Sequence, residues 1–190
     1  MIKLNIVLLS GSSVGSKTRT AMNYLQQQLT MLTDDNIELI DLRDKSIEFS
    51  DGRNYLDYKD DTLAVTTALM QADIIFIGFP IFQASIPGAL KNIFDLLPVN
   101  AFKDKVVGMF ATAGSAKHYL IPELQLKPIL DYMKAHTMQT YVFIEERDFH
   151  QQTIVNDDII FRLNALAQST VRMAKTYQQI LQDEESQYDF

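Results

Sequence analysis

Four short runs, IVLL (6–9), IIFIGF (74–79), VVGMFA (106–111) and YVFI (141–144), are apolar at nearly every position, and a fifth, IELIDL (37–42), is less pure. A strand with one face in water alternates apolar and polar side chains, so a run that is apolar throughout must be covered on both faces. That requirement selects a parallel sheet held between two helical layers. The segments between the runs supply the helices. Met22, Leu25, Leu29 and Leu32 recur on one helical face, as do Leu90, Ile93, Phe94 and Leu97, with Pro87 suited to a first turn and Pro98 to a stop. Residues 61–71 and 117–135 are two further candidates, the second interrupted or kinked at Pro128. The last helix places Ile159, Leu163, Leu166, Met173, Tyr177 and Ile180 near one stripe. The order βαβαβαβαβα describes a three-layer α/β/α sandwich, one domain over 1–182, followed by an acidic tail at 183–190.

Composition closes off several functions. A net charge of −7 gives no basic stripe for nucleic acid and no attraction to anionic membranes. No cysteine is present, which removes disulfides, thiolate catalysis and zinc–thiolate sites and fits a cytoplasmic protein. The start MIKLNIVLL has the look of a leader, but Asn5 interrupts it and it reads better as a first strand. No apolar run is long enough to span a membrane. His118, His136 and His150 are scattered without metal-ligand spacing, so no metal site is expected.

In an open parallel sheet, ligands bind beyond the carboxyl ends of the strands, near the switch in strand order. Three loops lie there: 10–18, 80–87 and 112–118. The first, SGSSVGSKT, is one residue from a nucleoside-triphosphate loop. Gly11, Lys17 and Thr18 fit that pattern, but Ser16 stands at its second glycine. An NTPase also needs a strand-end carboxylate for Mg²⁺. Asp41 offers one, whereas the runs ending at 79 and 111 do not. A helix start carrying Ser10, Ser12, Ser13, Ser16 and Thr18, with Lys17 or Arg19 for charge, suits a phosphate monoester. First-turn N–H groups lack intrahelical partners there and the helix dipole adds positive charge. An ordinary Ser/Thr-capped helix start would look the same.

The second loop, PIFQASIPG, joins an apolar ledge of Pro80, Ile81 and Phe82 to polar tips at Gln83 and Ser85, a mixture that matches a flat heterocycle with polar edges. Core packing would explain Ile81 and Ile86 but not Gln83 and Ser85. The third, TAGSAKH, is small and polar. Gly114 permits close backbone approach, and Thr112, Ala113 and Ser115 can present N–H groups to a ring edge.

GSSVGSKTRT, PIFQASIPGALKNIFDLLP and ATAGSAKHYL together resemble, in order and spacing, the three FMN-contacting segments of the NADPH-dependent FMN reductase family. The last two are similar especially to the FMN reductases that supply alkanesulfonate monooxygenases. The resemblance runs from the first strand to about residue 144. It implies a flavodoxin-like fold with five parallel strands in the order 2-1-3-4-5. It implies that Ser12, Lys17 and Thr18, with Ser10 and Ser16 beside them, hold the FMN phosphate. Pro80, Ile81, Phe82, Gln83 and Ser85 would border the flavin ring, and Thr112, Ala113, Gly114 and Ser115 its pyrimidine edge. Two positions depart from the pattern. Ser13-Val14 replaces the family's Pro-Arg in a loop one residue shorter, so any phosphate role of that arginine is lost or passes to Lys17 or Arg19. Phe82 stands where Tyr is common. His118 matches a family position and is counted with the cofactor-binding residues; a capping or hydrogen-bonding role serves there as well as a catalytic one, and no catalytic side chain is assigned.

The implied activity is that of an FMN-dependent NAD(P)H oxidoreductase, passing hydride from nicotinamide to flavin and electrons on to free flavin, a quinone or an azo compound. Family members are usually dimers or tetramers, so a homodimer or homotetramer is expected. The polar stretch 43–60, with Phe49, Tyr55 and Tyr58, is a candidate cover for a neighbour's site, or else an ordinary mobile loop. The rival function is a flavodoxin-type carrier that binds FMN and exchanges single electrons with protein partners.

Overall fold

The structure, a computed structural model, describes residues 3–188. Its elements are β1 (Asn5–Ser10), α1 (Lys17–Leu32), β2 (Asn36–Asp41), α2 (Asp60–Gln71), β3 (Ile74–Pro80), α3 (Gly88–Leu96), β4 (Val106–Ala113), α4 (Lys127–Tyr132), β5 (His136–Thr137), β6 (Val142–Glu145), the hairpin strands β7 (Phe149–His150) and β8 (Thr153–Ile154), and α5 (Asp157–Tyr188). The main sheet runs β2-β1-β3-β4, with β5 and β6 both paired to β4. Every pairing in it is parallel. This is the flavodoxin-like 2-1-3-4-5 order, with a fifth strand in two pieces.

The apolar runs divide their side chains between two cores, as full burial demands. Val7, Leu9, Ile75, Ile77, Phe79, Val107 and Met109 face the layer containing α2, α3 and α4. Ile6, Leu8, Ile74, Phe76, Val106 and Phe110 face α1 and α5. Each fully buried side chain of this size contributes about 1.5–3 kcal/mol. On the second face Phe76 lies opposite Gly108, and Phe110 opposite Gly78. A Cβ on Gly78 would come within 2.1 Å of the Phe110 ring, and one on Gly108 within 2.9 Å of Phe76. Each glycine is therefore the floor on which the neighbouring strand's aromatic ring rests.

Several elements differ from the sequence expectation. Val106 faces His136 whereas Phe110 faces Val142, so the fifth strand accommodates two extra residues between Thr137 and Val142 and leaves the ladder there. His136, one residue beyond the expected 117–135 helix, sits on β5 with its ring centroid 4.4 Å from that of Tyr177. The stretch 117–135 is not one helix. It comprises a 3-10 turn at Ala116–His118, a π-helical turn at Pro122–Leu126 and then α4, with Pro128, which has no N–H to donate, directly after the widened turn. Helix α5 continues through Tyr188, so the expected acidic tail is helical over 183–188, while Asp189 and Phe190 lie outside the described residues.

Candidate functional site

A cleft of about 340 Å³ opens at the carboxyl end of the sheet, at the junction of β1, β3 and β4. The sheet explains its position. The β1–β3 and β3–β4 registers bring Ser10, Gly78, Pro80 and Thr112 to the same edge, from which the three loops leave. Of the residues expected at a site, Ser16, Lys17, Thr18, Pro80, Ile81, Phe82, Thr112, Ala113 and Gly114 line the cleft. Ser10, Ser12, Gln83, Ser85, Ser115 and His118 do not. Val14, Gly15, Glu146 and Phe149 line it without having been expected.

The loop before α1 has a definite shape. The Gly11 N–H donates to the Gly78 carbonyl at 2.7 Å, extending the β1–β3 ladder by one bond. A side chain at Gly11 would meet Leu90 of α3 at 2.9 Å, so this glycine serves packing. The Ser12 hydroxyl donates to the Val14 carbonyl. Gly15 takes φ +85°, a left-handed conformation that a side chain would strain. Its carbonyl accepts from Arg43 Nη1 at 2.9 Å, so an arginine from the turn after β2 braces the loop from outside.

Helix α1 then starts without a cap. Ser16 occupies the N-cap but makes no side-chain capping bond, and the first turn holds no acidic residue. Helices α2 and α5 each carry two aspartates there. The first-turn N–H groups of α1 and its positive dipole end are thus left to something else. The Thr18 and Thr112 hydroxyls lie 2.8 Å apart, joining the start of α1 to the end of β4. Ser10 Oγ is buried and has no hydrogen-bond partner among the described residues. A buried hydroxyl of that kind is uncommon in a finished core.

The ledge is built by a tight turn. Phe82 and Ser85 exchange backbone hydrogen bonds of 3.1 and 2.9 Å around Gln83 (φ 48°) and Ala84 (φ 55°). Two consecutive non-glycine residues in left-handed conformations store strain beside the cleft. The turn leaves the Phe82 ring 41% exposed beside the cleft. The Ser85 hydroxyl, expected to face a ligand, donates to Gln125 Oε1, and Gln125 Nε2 donates to the Ala84 carbonyl at 3.1 Å. Ser85 therefore secures the ledge to the π-helical turn. Gln83 is exposed at the apex.

On the third side, a Cβ at Gly114 would find no atom within 4 Å. Nothing among the described residues requires that side chain to be missing, and its absence keeps open space along the backbone. His118 belongs to the 3-10 turn Ala116–His118, half-buried and away from the cleft lining.

Lys17 and Glu146 are the only ionisable residues in the lining, and they pair with each other. Lys17 holds the Glu146 carboxyl below its ordinary range. Arg19, considered for phosphate charge, is instead held by Asp44 and by Asp41 at 3.2 Å. Glu146 and Phe149 come from the stretch after β6 that reads only as polar in the sequence. No periodicity marks them, because the hairpin of β7 and β8 that presents Phe149 has strands of two residues each.

A ligand with a phosphate at one end and a flat apolar ring at the other fits this lining. The uncapped helix start and Lys17 suit the phosphate, exposed Phe82 and half-buried Ile81 suit the ring, and the open backbone at Gly114 suits its polar edge. The unpartnered Ser10 hydroxyl lies at the foot of the same loop.

Comparison with known proteins agrees. The family model described as NADPH-dependent FMN reductase matches residues 4–149. An NAD(P)H-dependent FAD/FMN reductase of Geobacillus thermodenitrificans (strain NG80-2) is 36% identical over 172 residues, covering 90% of this chain and 93% of that one. An NADH-dependent FMN reductase, SfnF, of Pseudomonas fluorescens (strain Pf0-1) is 29% identical over 175 residues, covering 92% and 94%. The crystal structure of an NADH:FMN oxidoreductase, EMOB, in its apo form superposes with a TM-score of 0.75 at 27% identity, covering 88% of each chain. This chain belongs to the NADPH-dependent FMN reductase family.

Proposed function

We propose that the cleft binds FMN and that the protein is a cytoplasmic NAD(P)H-dependent FMN reductase, with free flavin as its principal electron acceptor. The observation that carries this is the pairing, within one cleft, of a helix start that lacks its own cap and acidic residue with an exposed aromatic ledge. Lys17 and the first-turn N–H groups of α1 would hold the phosphate, Ile81 and Phe82 would carry the ring, and the backbone from Thr112 to Gly114 would face its polar edge. Bound FMN supplies the hydride-accepting ring. The chain's own part is to place two planar groups together and keep water out, for which the apolar lining of Pro80, Ile81, Phe82 and Phe149 is suited.

No acid or base side chain is needed for hydride transfer itself. His118 lies outside the lining, so His118→Ala should keep turnover within about tenfold, a barrier change of about 1.4 kcal/mol or less. A loss on the order of a thousandfold in that variant, with FMN still bound, would assign it a proton-transfer role.

Relatives bear names with both NADH and NADPH, so the test offers both nucleotides. Purified protein should oxidise NADPH or NADH only when FMN is added, and more slowly with riboflavin. Quinones and azo dyes are secondary acceptors to be run beside free flavin. Absence of nucleotide oxidation despite bound FMN would favour an electron carrier. We further propose a homo-oligomer, dimer or tetramer, in which Phe49 (81% exposed) and Leu56 (59% exposed) meet a neighbouring copy. Light scattering showing a monomer at micromolar concentration with FMN bound would exclude it.

A further inference from the structure

The cations around the phosphate loop are all engaged inside the protein. Arg19 is shared between Asp41 and Asp44, and Arg43 braces the Gly15 carbonyl with Asp41 and Asp44 behind it. Neither arginine lines the cleft. Lys17 does, and its partner Glu146 lines the same cleft. The side-chain charge of the lining is therefore one lysine and one glutamate, paired, with a sum of zero.

A flavin phosphate brings a charge of about −1.5 to −2 at neutral pH. It cannot take Lys17 while Glu146 keeps it, because the carboxylate would then lie against the phosphate. The mounting of Glu146 suits an exchange. Its backbone is fixed by buried Asp148, which accepts from the Glu145 N–H at 2.8 Å and from Asn156 Nδ2 at 2.7 Å. The Glu146 side chain, by contrast, is 67% exposed and can swing into solvent without leaving a buried group unpaired.

We propose that Glu146 is a specificity-determining residue that occupies Lys17 until the flavin phosphate displaces it, so that FMN is held as an exchangeable substrate and not as a permanently bound group. This rests on the placement of the FMN phosphate at Lys17. Removing the carboxylate leaves Lys17 unpaired and ready, so the glutamate lowers FMN affinity and hastens FMN release. Riboflavin has no phosphate to compete, so its affinity does not depend on Glu146.

The test is a fluorescence titration with FMN and with riboflavin of the wild-type protein, Glu146→Gln, Lys17→Met and the double variant, together with stopped-flow measurement of FMN release. Glu146→Gln is expected to tighten FMN by roughly tenfold, slow its release, and leave riboflavin within about twofold. In the Lys17→Met background, where no pair has to be broken, the gain from Glu146→Gln should shrink to about threefold or less. FMN affinity unchanged or weakened in Glu146→Gln, or riboflavin tightened equally, overturns the inference. If Lys17→Met reduces the preference for FMN but Glu146→Gln does not raise it, only the role of Glu146 fails. If neither variant moves the preference, the phosphate is not at Lys17, and both the placement and the inference fall.

Discussion

Two polar connections leave the carboxyl end of the sheet, 11–16 after β1 and 42–59 after β2, and they treat their hydrogen bonds in opposite ways. In the longer one, the protein answers its own polar groups. Buried Asn92 accepts from the Ser50 N–H and donates to the Glu48 carbonyl, both at 2.9 Å, and buried Thr62 accepts from the Glu48 N–H. Tyr58, 1% exposed, donates to Asp51 and accepts from its N–H, with the Arg53 guanidinium 4.1 Å above its ring. The shorter connection fixes only its shape, through Ser12 to Val14 and Arg43 to Gly15, and leaves the start of α1 uncapped. A polar loop that completes its own bonds is part of the fold. One that holds its shape and leaves a helix start uncapped is where the proposed phosphate would sit.

The largest effect should come from the closed loop. Tyr58→Ala removes its buried anchor and should cost about 3–5 kcal/mol of stability in a denaturant titration. The ratio of FMN to riboflavin affinity, measured where the variant is still folded, should not change. A changed ratio would mean that the two connections are one functional unit.

Next comes the open side of the cleft. Gly114→Val places a branched side chain where no atom of the described residues lies within 4 Å of the Cβ position. Apo stability should barely move, while FMN affinity should fall on the order of a hundredfold, about 2.7 kcal/mol. Unchanged FMN binding would remove this backbone from the site.

The smallest effect concerns Asp51, held down to about 2 by Arg53 first and then by the Tyr58 hydroxyl, against an ordinary 3.8. A carboxyl depressed on folding stabilises above its unfolded value and loses that contribution as pH falls through its folded one. Wild type should therefore melt above Asp51→Asn at neutral pH, and the gap should close between pH 3.8 and about 2. A gap independent of pH would show that the Asp51 charge does not hold the loop.

Much of this was legible in the residues. Runs apolar on both faces had to be strands covered by helices on both sides, and Ile6 to Leu9, Ile74 to Phe79 and Val106 to Ala111 are all in β1, β3 and β4. That Ser16, Thr18, Thr112 and Gly114 share one cleft was legible too, because in a sheet of this kind clefts open beyond the carboxyl ends of the strands. What sequence spacing could not carry was partnership. Nothing local says that the Ser85 hydroxyl turns to Gln125, or that Arg19 is claimed by Asp41 and Asp44. Likewise Tyr58 reads as a surface aromatic in a polar stretch and proves to be core. Glu146 and Phe149 reach the cleft through a short hairpin whose strands are too brief to show a period.

The measurement that most directly tests whether the open loop is the flavin's phosphate site is amide hydrogen exchange with and without FMN, followed by peptides covering 11–19 and 43–60. The expected result is strong slowing of exchange at 11–19 on adding FMN, less with riboflavin, and no change across 43–60. FMN binding that leaves 11–19 exchanging as in the free protein, or that protects 43–60 instead, would contradict the assignment.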